Sequence, residues 1–127
     1  MNIEDEKIKE DLFNKGVDAF INHQFYDAHE HWEDLWSDYR LVDAIFIQGL
    51  IQLAVGYFHV SNNNKNGAIS LLKKCKSKFD GYQPIYRGLD VDGIFKGIEN
   101  SLSLLSEIKN MNDFDWNLVP KISKNEL

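Results

Sequence analysis

His29 and Glu33 stand four residues apart in the run Phe25-Tyr26-Asp27-Ala28-His29-Glu30-His31-Trp32-Glu33-Asp34-Leu35-Trp36, a spacing that sets two side chains side by side on one helix face. An imidazole and a carboxylate so placed suit two chemistries: a base held in one tautomer by an acid, or two ligands offered to one metal ion. With Trp32 as zero and about 100° per residue, Trp36 falls near 40°, His29 near 60°, Glu33 near 100° and Glu30 near 160°. The pair therefore borders an apolar stripe, while Glu30 points further out, to solvent or another helix.

Downstream, Gln48, Gln52 and His59 fall within about 40° of one another on a segment whose other positions are almost all apolar. A buried amide or imidazole without a partner costs roughly 1 to 3 kcal/mol, so three on one face imply hydrogen-bonding neighbours, trapped water or a ligand. Gly49 and Gly56 lie on the same side and thin the helix where something could approach. The expected partner is the His29 and Glu33 edge, because a short Tyr39-Arg40 connection makes the two helices antiparallel neighbours.

These spacings assign His29 as base or ligand, Glu33 as its orienter or co-ligand, Gln48 and Gln52 as amide anchors and His59 as second base or ligand. Glu30, Trp32 and Trp36 are candidate ligand contacts. Two imidazoles and a carboxylate, His29, His59 and Glu33, could also hold a divalent metal. The same set can equally form a satisfied polar seam that fixes helix register, with Trp32 and Trp36 in the core. A zinc-protease motif fails because its second His would stand at position 33, which is Glu33. No phosphate loop, dinucleotide fingerprint or nucleophile elbow is present. His23 and His31 read as solvated, and Cys75 as a buried small hydrophobe.

Five helices must position these residues: about Asp5 to Ile21, Tyr26 to Tyr39, Leu41 to Val60, Lys65 to Phe79 and Val91 to Lys109. In the second, Ala28, Trp32, Leu35, Trp36 and Tyr39 form one buried face. The third is apolar nearly all round, as a central helix should be. Asp80 to Asp90, with Gly81, Pro84 and Gly88, reads as a structured loop with Ile85, Tyr86 and Leu89 packing inward. Gly16, Phe20 and the Ala28-x3-Trp32 pair resemble one tetratricopeptide-type hairpin; Gly49, Tyr57 and the Ala68-x3-Leu72 pair resemble a looser second copy. The expected architecture is all-α: a compact antiparallel bundle of two stacked hairpins plus a C-terminal helix. Residues 1–109 form one domain, and 110–127 a polar tail docked through Trp116.

Composition sets the outer bounds. The chain has 127 residues, enough for one core, with 43% apolar types and 16 aromatics (Trp 3, Tyr 5, Phe 8). Fourteen Lys and Arg against 20 Asp and Glu give a net charge of −6, which argues against nucleic acid as a partner. Residues 1–40 carry 11 acids and 4 bases, the remainder 9 and 10, so the halves differ in surface character. Leu41 to Val60 is the only membrane candidate, and Asp43, Gln48, Gln52 and His59 break it. A lone cysteine and an acidic N-terminus without a basic or apolar signal region suggest a cytoplasmic address.

The Ala-His-Glu-x-Trp-Glu-x-x-Trp block, the Gln48-Gly49-Leu50-Ile51-Gln52 block, His59 and a later Gly88-Leu89-Asp90 turn resemble the small prokaryotic domain-of-unknown-function family 309 (DUF309), over most of residues 12 to 108. The resemblance implies a compact all-α bundle and draws attention to His29, Glu30, Trp32, Glu33, Trp36, Gln48, Gln52 and His59. It implies no reaction. Two functions are weighed: a small-ligand or metal-binding domain, with hydrolysis as its candidate reaction and its site between helices two and three; and a non-catalytic, tetratricopeptide-like module that binds a protein partner.

Overall fold

The computed structural model describes residues 3–122; residues 1–2 and 123–127, the ends of the acidic opening run and of the polar tail, lie outside it. Five helices carry the architecture: α1 (Ile3–Ile21), α2 (Phe25–Asp38), α3 (Ala44–Ser61), α4 (Lys65–Lys78) and α5 (Val91–Glu107). α1 pairs with α2, α2 with α3 and α3 with α4, while α5 packs chiefly on α4. The all-α bundle expected from the apolar spacing is what forms. A two-residue hairpin, β1 (Ile85–Tyr86) and β2 (Leu89–Asp90), lies between α4 and α5.

The two helical hairpins are built alike. His23 and Asn63 both take left-handed backbone at φ 58 and 60, and the amide bonds around them match: Gln24 N–H to Ala19 O at 2.8 Å and Asn64 N–H to His59 O at 2.9 Å. Ala28 and Ala68 then donate to Gln24 O and Asn64 O, each at 3.0 Å. Every one of these positions recurs forty residues later. The marker glycine of the second hairpin is therefore Gly56, not Gly49, and the looseness read from the sequence disappears. A Cβ built on Gly16 would land inside the Trp32 indole, and one on Gly56 would meet Leu72 Cδ2 at 3.0 Å. In each hairpin a glycine of the first helix admits the large residue sixteen positions on.

Trp32, Phe20, Phe46, Leu50, Leu53, Tyr57, Leu72 and Phe79 are fully buried at the centre. The Trp32 indole N–H donates to Phe13 O at 3.2 Å, which satisfies it inside the core. Tyr57 and Ser101 join α3 to α5 by a 2.7 Å hydroxyl bond, and burial pushes the Tyr57 phenol far up from its ordinary value. α3 has the length and hydropathy of a membrane span, yet half of it is buried inside the protein, as suits a core helix. Burial likewise pushes the Cys75 thiol up to about 12.

Two expectations are corrected. α3 begins at Ala44 rather than Leu41, since residues 41–43 form the turn that enters it. Ile85 is exposed, because in a two-residue strand its neighbour Tyr86 takes the inward side. Beyond α5, Phe114, Val119 and Ile122 are buried, Pro120 lies against Gly97 of α5, and the half-buried Trp116 stacks on Phe25 with ring centroids 6.0 Å apart.

Candidate functional site

α2 brings Tyr26, His29 and Glu33 to its edge beside α3, where the Tyr26 and Phe58 rings meet at 5.3 Å. His29 turns back on its own helix. Its Nδ1 lies 3.3 Å from Tyr26 O and its ring 5.3 Å from the Tyr26 ring. A carbonyl only accepts, so in this contact Nδ1 is the donor. Glu33 is half-buried and Glu30 exposed. Among the described residues no hydrogen bond joins His29 to Glu33, or either of them to Gln48, Gln52 or His59.

α3 shows why. Gly49 and Gly56 face α4, where Lys78, Phe79 and Leu72 approach them, so the partner that the thinned helix admits is α4 and not α2. His59 is drawn the same way. Its Nδ1 accepts from Asn64 Nδ2 at 3.3 Å, and its ring lies against Gly67; Asn64 in turn caps α4 by accepting from Gly67 N–H at 2.9 Å. His59 thus belongs to the α3–α4 turn, and the His29, Glu33, His59 trio is not assembled. No group of three His, Cys, Asp or Glu among the described residues is placed to hold a metal ion.

Gln48 and Gln52 are half-buried on the α3 surface left open by its neighbours. The Gln52 Oε1 atom is buried and has no hydrogen-bond partner. The antiparallel register set by Tyr26 and Phe58 brings His29 and Glu33 level with the α3 turn from Ile51 to Val55. Of the aromatic candidates, Trp32 is sealed in the core, whereas Trp36 is 39% exposed. That corrects the buried face read for α2: Trp36 lies about 40° off the centre of the stripe, beyond the reach of α1 and α3.

These residues occupy a recognisable segment. Residues 13–71 match the family model described as domain of unknown function (DUF309). That match assigns residues 13–71 to the DUF309 family. Both motif blocks, on α2 and α3, fall inside the DUF309 match, while the Gly88-Leu89-Asp90 turn lies outside it. In the structure that turn closes the β1–β2 hairpin and supplies Asp90, whose side chain caps α5 by accepting from Gly93 N–H at 3.0 Å. No curated protein matches the chain.

One cluster escaped the sequence reading. Asp43, almost wholly buried before α3, accepts Arg87 Nε at 2.6 Å, Arg87 Nη2 at 3.1 Å and the Tyr86 hydroxyl at 3.1 Å. Burial raises the Asp43 carboxyl, but the Arg87 hydrogen bonds and charge, with Tyr86, outweigh it and hold it below the ordinary value. The only signal was a lone acid at the start of an apolar helix, and its partner stands 44 residues away.

Proposed function

We propose that this DUF309 domain binds a small polar ligand on the open α2–α3 face, with Gln52 Oε1 accepting a hydrogen bond from it. The observation that carries the reading is that unpartnered, buried oxygen, since leaving an acceptor unsatisfied costs roughly 1 to 3 kcal/mol and calls for a compensating role. On this reading the Glu33 carboxylate and the His29 imidazole, which lie on the α2 edge facing α3, supply further acceptors. A ligand rich in donors, such as an amine, a primary amide or a polyol, matches that set. Gln48 is a second amide anchor. The reading is one of binding; it assigns no metal and no hydrolytic step. The single buried thiol, Cys75, fits a reducing intracellular setting.

A second reading is favoured by a specific observation. The two hairpins repeat at an interval of forty residues, and Tyr26 and Trp36 of α2 and Ile45 of α3 stay exposed, which would suit an extended peptide whose backbone amides reach Gln48 and Gln52. Amide NMR titration separates the two. Ethanolamine, acetamide and glycerol are expected to shift the Gln52 and Gln48 side-chain amides in the wild type, with the response lost in Gln52→Leu. Silence at those amides with every compound counts against a small-ligand site.

A further inference from the structure

A cavity of about 530 Å³ opens between the first half of α1, the turn that enters α3 and the β1–β2 hairpin. It shares no lining residue with the α2–α3 face. Its size falls in the range of small-molecule sites, roughly 300 to 1,000 Å³. Three cations (Lys9, Arg40, Arg87) and three carboxylates (Glu6, Glu10, Asp43) line it. Equal numbers of each sign give a simple anion or a simple cation no net attraction, whereas a molecule carrying both signs is matched.

Four of those charges are already engaged. Arg87 is locked on Asp43, with its guanidinium 4.8 Å from the centre of the Phe13 ring. Lys9 is paired with Glu6 at 2.9 Å and lies over the Tyr39 ring. Arg40 and Glu10 remain, and although they line one cavity no ion pair joins them. The wall between the charges is apolar: Phe13, Leu41 and a fully exposed Val42. The hairpin is committed to this arrangement. Arg87 takes left-handed backbone at φ 49, a conformation that a long side chain adopts only against a steric cost, and from there it closes one side of the cavity.

We propose that this cavity binds a zwitterionic α-amino acid with an apolar side chain, its carboxylate on Arg40, its ammonium on Glu10 and its side chain against Phe13, Leu41 and Val42. The test is calorimetric titration of the full chain with L-leucine, N-acetyl-L-leucine and L-leucinamide, with NMR of the Val42 methyls to locate binding. L-leucine is expected to bind and to shift Val42. The analogues, each lacking one charge, are expected to bind at least about tenfold more weakly, the scale of one lost charge-assisted contact. Arg40→Gln should weaken L-leucine by a similar factor and leave N-acetyl-L-leucine no better than in the wild type; Glu10→Gln should spare it and weaken L-leucinamide. Failure of L-leucine to bind at millimolar concentration, or analogues that bind as well as it does, would overturn the proposal. So would binding that leaves Val42 unmoved. The three-ligand comparison on the wild type stands whether or not a variant folds.

Discussion

Asp43 is held by three donors from the hairpin, so its carboxylate is worth more folded than unfolded. Because its folded pKa lies below its unfolded value, the stabilisation is fully present above about pH 4 and is lost as pH falls through the folded value. Asp43→Asn should therefore be less stable at neutral pH by about 1 to 3 kcal/mol, the cost of breaking a largely buried charged network. Its deficit relative to the wild type should shrink below pH 4. Urea melts of both proteins at pH 7 and pH 3 check this; a deficit that stays constant would place the coupling elsewhere. At this scale the sequence revealed residue types but not partners. Asp43 was legible as a polar break in an apolar run, yet nothing in the spacing of residues 85–90 points back across 44 positions to it. Conversely, His29 and Glu33 have the spacing of a pair, but His29 can satisfy itself on the Tyr26 carbonyl of its own helix.

Helical hairpins are the element in which sequence and structure agree best. The period-3.6 stripes located all five helices within three residues at each end, because those stripes report burial and burial decides the helix. They could not say which neighbour covers a given face. The Gln48, Gln52 and His59 stripe is real, but the glycines beside it admit α4, and that choice depends on the whole packing rather than on the helix itself. The two glycine contacts make a graded prediction. At Gly16 an alanine gains up to about 1 kcal/mol of helix propensity but meets a rigid, fully buried indole. Overpacking of about 1 to 3 kcal/mol or more should win. At Gly56 the obstacle is the tip of Leu72, which can yield by a few tenths of an ångström, so Gly56→Ala should cost less than Gly16→Ala. Denaturant melts of the two variants test the order; equal losses would contradict the repeat geometry.

At the level of the whole molecule, residues 110–122 complete the core. Phe114, Val119 and Ile122 are buried, and each apolar side chain of that size contributes roughly 1.5 to 3 kcal/mol. Their sum rivals the roughly 5 to 15 kcal/mol by which a domain is stable. A chain ending at Lys109 should lose its cooperative thermal transition, or melt far below the full chain; an unchanged melt would show the tail to be dispensable. Trp116 was legible as a docking point, but Phe114 and Ile122 were hidden in a polar stretch too short to show a period.

The central claim is that Gln52 offers a buried acceptor to a ligand and not to the protein. Thermal melts of wild type and Gln52→Leu test it most directly, since leucine removes the orphaned oxygen while keeping the volume. The melting temperature of Gln52→Leu should equal that of the wild type or exceed it. A fall of several degrees, the equivalent of about 1 to 3 kcal/mol for a domain of this size, would mean that Gln52 is a structural seam residue and would contradict it.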